Sequence, residues 1–106
     1  MQFLTLDLIK HQCRLELDQH HEDTILSLYG AAAEACVASY LNRRLYTDAV
    51  PEDDSNGTVV KDDIRMAMLL VVSFLYENRS ETPETAEMPM PITARHLLAP
   101  YRVVPI

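Results

Sequence analysis

The chain has 106 residues, the size of a single domain, and we expect one domain over 1–106. Hydrophobic residues make up 48% and charged residues 24%, a composition typical of a folded chain rather than a disordered one. Sixteen acidic against 9 basic residues give a net charge of −7. Because a protein that grips nucleic-acid phosphates needs clustered Lys and Arg, this charge excludes a DNA or RNA groove binder.

The first predicted element is a short helix that begins at Thr5. A threonine hydroxyl can cap the free amides of a first turn, and Leu6, Ile9 and Cys13 follow at helical spacing. Cys13 and Cys36 show neither CxxC spacing nor a secreted disulfide pattern. Both lie among apolar neighbours, so we expect reduced thiols that pack in the core.

No targeting or membrane signal is visible. The N-terminal residues lack the positive region and apolar stretch of a signal peptide. The longest apolar run, 66–72, is far shorter than the roughly 20 residues that span a bilayer. The sequence therefore predicts a cytoplasmic location and no membrane partner.

The second helix is predicted over about 22–44 and has two unusual sides. Its expected core face follows helical spacing: Ile25, Leu28, Tyr29, Ala32, Cys36, Tyr40. The other side carries small residues, among them Ala31, Ala35 and Ala38, where a surface helix is usually charged. Small side chains let another backbone approach closely, but Ala is also the best helix former. A second packing face and plain helix propensity remain alternatives.

Residues 47–60 are predicted to form a flexible acidic loop. Pro51 and the cluster Ser55-Asn56-Gly57 break regular structure, and four acidic side chains in the segment repel one another. A loop of this length in a compact domain is usually functional or disordered.

The third helix, over about 61–78, carries the main argument for assembly. Between 64 and 76 only Arg65 and Ser73 are polar, so apolar side chains surround the axis. Such a helix must be covered on all sides. Two other helices and a short C-terminal piece are too few to enclose it, so we expect leftover apolar surface that self-association covers.

An acidic, Pro-rich extended arm is predicted over about 80–93. Thr93 then caps one last helical turn over 94–98, which Pro100 stops. The predicted fold class is therefore all-α: a small helical bundle of three main helices with a short C-terminal helical turn and an extended arm.

No catalytic, cofactor or metal site is predicted. With Gly30 and Gly57 as the only glycines, a Gly-rich phosphate loop is excluded. The adjacent His20 and His21 lack the i, i+4 spacing of helical metal ligands. Nothing places a Ser or Cys nucleophile beside a His and an orienting acid, so we expect no enzyme. An enzyme would need the histidines to converge.

Four segments, in chain order, carry a family resemblance. The first, 6–15, is an L-x-x-x-K opening followed by C-R-L, and the second, 22–41, is an acidic entry into an Ala-rich helix. The third, 64–79, is a helix that ends in Y-E-N-R, and the fourth, 97–102, reads L-L-A-P-Y-R. Together they resemble the head–tail connector family of long-tailed bacteriophages and prophages, often labelled DNA-packaging proteins. The third and fourth segments are the more specific.

The resemblance implies a small, mostly helical subunit of a ring, with about twelve copies beneath the phage portal. The implied partners are other copies, the portal protein, and a tail-side connector or tail-completion protein. The implied location is the host cytoplasm during assembly and then the virion head–tail junction. About twelve copies would total about −84, so DNA would pass through the channel without specific binding.

Ten residues are candidates for the subunit interface: Ala31, Ala35, Ala38, Met66, Leu70, Phe74, Tyr76, Arg79, Tyr101, Arg102. We expect the last four to contact one another or a neighbouring subunit and to lock the C-terminal arm to the end of the third helix. Local capping with solvent exposure is the alternative. For the whole chain, the alternative is a small helical homo-oligomeric interaction module, such as a regulator or antitoxin-like partner.

Overall fold

The computed structural model describes residues 2–77 and 91–102. The described residues form helices α1 (Leu6–Gln12), α2 (Asp23–Leu41), α3 (Asp62–Glu77) and α4 (Ile92–Leu98), and strands β1 (Leu45–Tyr46) and β2 (Thr58–Val59). A 3-10 turn, Ala99–Tyr101, continues α4. The mostly helical architecture confirms the predicted all-α class.

The helix ends show how local sequence sets the boundaries. The Thr5 hydroxyl accepts a hydrogen bond from the backbone N–H of Leu8 at 3.2 Å, which confirms the predicted cap of α1. The second helix ends at Leu41 rather than at 44, because Asn42 adopts the left-handed conformation, with φ 57°. Asn tolerates this conformation better than most residues, and it terminates helices.

Helix α3 packs against α2, α4 and α1. Six of its residues are buried in the core: Ile64, Ala67, Met68, Leu69, Val71, Val72. The chain therefore covers more of this helix than the sequence led us to expect, because α4 and the 3-10 turn supply a further wall. The exposed remainder is narrow and includes Met66 and Phe74.

The predicted core face of α2 was correct only in part: Cys36 is buried, and Tyr29 and Tyr40 pack against the core. The fully buried side runs from Leu26 to Leu41 through Ala33 and Val37, whereas Leu28 is 60% exposed. Both sides of this helix are apolar, so periodicity alone did not identify the inner one. By length and hydropathy α2 also resembles a membrane span, a test that core helices of soluble proteins pass as well.

The end of the predicted 47–60 loop is regular structure. Strands β1 and β2 pair in parallel, with Leu45 opposite Thr58. A Cβ atom on Gly57 would lie 2.6 Å from the ring of Tyr46, so the absence of a side chain lets the chain pass close to that ring. A strand of two residues is too short to show a periodicity in the sequence.

A buried carboxylate ties the N-terminal segment to α2. Glu34 is only 8% exposed, and its two oxygens accept hydrogen bonds from the backbone N–H groups of Gln2, Phe3 and Leu4, each at 2.9 Å. These bonds compensate for the loss of water around the charge.

A buried ammonium holds the connector between α1 and α2. Lys10 is 2% exposed and donates to the carbonyl oxygens of Leu17 at 3.3 Å and Gln19 at 2.6 Å. It also lies 2.9 Å from the carboxylate of Asp23. The hydrogen bonds of Lys10 and then His20 lower the pKa of Asp23.

Candidate assembly surfaces

An apolar ridge runs along the outer side of α3. We define the α3 ridge as Met66, Leu70 and Phe74, which follow one another at i, i+4 and i+8. Met66 is 45% exposed and Phe74 37%, and Leu70 is half-buried. At 1.5 Å per residue the ridge spans about 12 Å. All three were candidate interface residues, and the structure brings them together on one face.

A groove lies beside the ridge, between α1 and the second half of α3. It has a volume of about 560 Å³, and its lining includes Cys13, Leu70 and Tyr76. Tyr76 is partly buried and packs against the core. Burial, with smaller effects of Glu77 and Glu22, raises the pKa of the Cys13 thiol, so the thiol stays protonated at neutral pH.

A second groove follows the small residues of α2. We define the α2 groove as the depression of about 440 Å³ whose lining includes Ala31, Ala35, Ala38, Phe3, Arg44 and Tyr46. Ala31 and Ala35 are exposed and Ala38 is half-buried. Leu28, one turn before Ala31, is the most exposed large apolar side chain of this helix. The three predicted alanines therefore share one surface, away from the buried side of α2.

The C-terminal segment is held at a different place from the one we expected. The Tyr101 hydroxyl donates to the Asp63 carboxylate at 2.6 Å, in the first turn of α3. The Arg102 side chain donates to the carbonyl oxygen of Tyr40 at 3.0 Å, and its guanidinium lies 4.4 Å from the centre of that ring. Tyr101 thus meets the first turn of α3, at the end opposite Tyr76, and Arg102 meets the last turn of α2.

These contacts differ from the contact that we predicted within one chain between Tyr101 and the end of α3 at Tyr76. Asp63 is one full helix length from Tyr76, so Tyr101 and Tyr76 stay apart. Arg79 lies outside the described residues, as does most of the predicted arm. The sequence did not identify Asp63 as the acceptor, because an acidic residue in the first turn of a helix is already explained by the helix dipole.

Arg43 completes this region by joining three parts of the chain. It donates to the carbonyl oxygens of Asn56 at 2.7 Å, Tyr101 at 3.1 Å and Gly57 at 3.5 Å. We define the C-terminal junction as Arg43, Asp63, Tyr101, Arg102 and Tyr40. Arg43 therefore connects the end of α2 to the residues just before β2 and to the C-terminal segment.

Metal-type ligands are not concentrated anywhere in 2–77 or 91–102: no group of three or more His, Cys, Asp or Glu side chains there could hold an ion. Both cysteines are free. The α3 ridge is apolar, and the α2 groove combines apolar residues with the charged Glu34 and Arg44. Exposed apolar surface of this kind is typical of sites that bind other proteins.

A comparison with protein-family models found a match over residues 3–102, to the family described as Phage gp6-like head-tail connector protein. The chain belongs to this family. The match spans all four segments that carried the resemblance. No curated protein and no solved structure matched the chain.

Membership gives this head–tail connector its general role. The family is structural rather than enzymatic, and its proteins are components of the phage virion at the head–tail junction. Interaction with other virion components follows from that role. The ridge and the two grooves are then surfaces through which such contacts can be made.

Proposed function

We propose that this connector assembles into a ring of about twelve copies that joins the phage portal to the tail and extends the DNA channel. Copies made in the host cytoplasm bind the portal on one side of the ring. A tail-side connector or tail-completion protein binds on the other side. The subunit performs no catalysis in this role.

The observation that carries the proposal is that two separate apolar surfaces lie on two different helices. The α3 ridge and the α2 groove share no residue, and each leaves apolar atoms in contact with water. A contact between two different surfaces is head-to-tail, and such a contact closes a ring when the rotation between neighbours divides a full turn. A two-fold dimer would need only one self-complementary surface.

The charge of the chain supports a channel through which DNA slides. Each copy carries a net charge of −7, so a ring of about twelve copies would carry about −84. Negative charge repels phosphates and disfavours tight binding. The genome would then pass without being held.

The test is the native mass of the full chain, alone and with the portal protein of the same phage. We expect rings of about twelve subunits, either at high concentration or on the portal alone. Negative-stain images of the same samples should show a central channel. A chain that stays monomeric and also fails to bind the portal contradicts the proposal. A compact dimer indifferent to the portal would favour the interaction module instead.

A further inference from the structure

We propose that neighbouring subunits join by placing the α3 ridge of one copy in the α2 groove of the next, with the two helices antiparallel. This inference rests on the proposed ring and specifies its contact. The occupant of the groove is a second copy of this chain. Helices α2 and α3 would then alternate around the ring, each running opposite to the helices beside it.

The direction of the contact follows from the fold of one chain and from the symmetry of the ring. Arg43, just after α2, donates to the carbonyl oxygen of Tyr101 at 3.1 Å, and the Tyr101 hydroxyl donates to Asp63 at the start of α3 at 2.6 Å. The end of α2 therefore lies near the start of α3, and these two packed helices run antiparallel. Neighbours in a ring of about twelve are turned by only about 30°. The α3 helix of the next copy therefore also runs antiparallel to α2.

The shapes of the two surfaces match in this direction. The ridge presents large side chains at i, i+4 and i+8, and Ala31 and Ala35 give the groove an i, i+4 repeat. Rows of this repeat on two helices pack into each other, and alanines let the helices approach closely. When Leu70 lies at Ala35, the rise of about 1.5 Å per residue brings Phe74 level with Ala31.

One charged residue at an end of each surface agrees with the antiparallel direction. Arg44 is exposed and lines the α2 groove just after the helix ends. Asp62 lies one turn before Met66 on the same row of α3, and its side chain is fully exposed. Antiparallel helices bring this carboxylate to Arg44 of the next copy. Arg65 of its own chain already bonds one oxygen of Asp62 at 2.9 Å, but a pair this exposed is weak, and a carboxylate can accept from a second donor.

The other end of the contact brings no strong repulsion. In this register Glu77 comes level with Leu28, about 7–9 Å along α2 from Glu22 and Asp23. Lys10 already pairs with the Asp23 carboxylate at 2.9 Å. The acidic start of α2 therefore does not oppose the antiparallel arrangement.

The size of the contact favours a ring over a free dimer. One ridge of three side chains in one groove buries less than the roughly 1,200 Å² that a stable protein pair usually needs. A single contact is therefore weak. In a closed ring every subunit makes the contact twice, once through each surface, so closure supplies the stability that one pair lacks.

Disulfide cross-linking of the full chain tests the contact and its direction, with the portal present if the free chain stays monomeric. In a Cys13→Ala, Cys36→Ala background, one variant carries Ser73→Cys with Ala31→Cys, and its matched control carries Ser73→Cys with Ala38→Cys. Two cysteines bridge only when their Cα atoms lie about 4.4–6.8 Å apart, and Ala38 is about 10 Å along α2 from Ala31. We expect oxidation to give a ladder of linked subunits for the first pair and single chains for the control.

Charge reversal gives an independent readout. Arg44→Glu and Asp62→Arg should each raise the concentration for half-assembly about fivefold, and the double variant should recover most of that loss. The matched control combines Arg44→Glu with Glu77→Arg, at the other end of α3, and should not recover it. Arg44 also acts electrostatically on Tyr46 and Asp54 of its own chain, but a change at Asp62 cannot repair that local effect.

The outcomes separate this inference from the proposed function. The inference requires both the 73–31 ladder and the rescue by Asp62→Arg. If rings form but one of these is missing, the contact is wrong, the groove has another occupant, and the ring stands. A ladder for the 73–38 pair, or rescue by Glu77→Arg, shows parallel helices and also overturns the inference. If the unmodified chain forms no ring alone or on the portal, both the function and the contact fail.

Discussion

The C-terminal junction and the α3 ridge differ in where their side chains find partners. At the junction, Arg43 bonds three carbonyl oxygens of its own chain, and Tyr101 bonds Asp63. On the ridge, Met66 and Phe74 leave large parts of their apolar surface in water. The junction is completed within the subunit, whereas we propose that association covers the ridge.

The difference indicates that stability and assembly are encoded separately. Groups bonded within the chain determine whether the subunit folds. The part of an apolar side chain that stays exposed after folding contributes little to stability, but it loses water on association. Substitutions can therefore alter stability without altering assembly, or the reverse, and three experiments test this separation.

The largest effect is expected at the junction. Arg43→Ala leaves three carbonyl oxygens without their donor, and we expect the free energy of unfolding to fall by about 2–3 kcal/mol. Urea denaturation of the dilute monomer measures this value. The neighbouring Arg44 is exposed, so Arg44→Ala should change it by less than about 0.5 kcal/mol. If the two variants lose equal amounts of unfolding free energy, the hydrogen bonds of Arg43 do not stabilise the junction.

The ridge should show the opposite behaviour. Met66→Glu places a charge on the surface that meets the next copy, so we expect assembly to need at least about tenfold more protein, or about 1.4 kcal/mol per contact. The free energy of unfolding should change by less than about 0.5 kcal/mol. The concentration needed for assembly is measured by titrating ring formation against protein concentration. If the free chain stays monomeric, the titration is done with the portal present. Urea denaturation measures the free energy of unfolding.

Leu17→Glu is the matched control for the ridge. Leu17 is 45% exposed, as Met66 is, but it lies in the connector between α1 and α2. The Leu17→Glu variant should assemble at the same concentration as the unmodified chain. If both variants impair assembly equally, added charge rather than the position on the ridge is the cause.

The smallest effect is a pH dependence at the junction. The hydrogen bond to Asp63 raises the pKa of Tyr101, because it favours the protonated phenol in the folded state. An unfolded tyrosine loses its proton near pH 10. The stability that the bond gives is therefore present below about pH 10 and is lost as the pH rises towards the folded pKa.

Tyr101→Phe tests this sign. The variant should be less stable than the unmodified chain at neutral pH, and the difference between them should shrink above about pH 10. Thermal denaturation at several pH values measures the difference. If the stability difference between the variant and the unmodified chain stays constant or grows above about pH 10, the hydrogen bond of the Tyr101 hydroxyl does not stabilise the junction.

The sequence predicted several features that depend on neighbouring residues in the chain, although the cap expected at Thr93 was wrong, because α4 begins at Ile92 and Pro91 is its N-cap. The cap at Thr5 was correct because its partner lies three residues away. Met66, Leu70 and Phe74 lie on one face because helical spacing alone determines it. The same spacing did not identify the inner side of α2, since both sides of that helix are apolar.

Features that depend on distant residues were not predicted. Glu34 and Lys10 read as ordinary surface charges, yet both are buried among backbone groups from other segments. The contact expected within one chain between Tyr101 and Tyr76 was wrong for the same reason, since Tyr101 bonds Asp63 instead. A contact with a neighbouring subunit remains a prediction. A charged residue gives no sign in sequence of the partners that permit its burial.

The central claim is that each subunit carries two different surfaces that fit each other, and a mixing experiment tests it most directly. Met66→Glu disables the ridge, and Ala35→Arg disables the groove. Native mass spectrometry of each variant with the portal should show no complete rings, under conditions in which the unmodified chain forms them. A one-to-one mixture of the two variants should also fail to close rings, because each intact ridge can meet only one intact groove. Variants, or a mixture, that still close complete rings would contradict the claim.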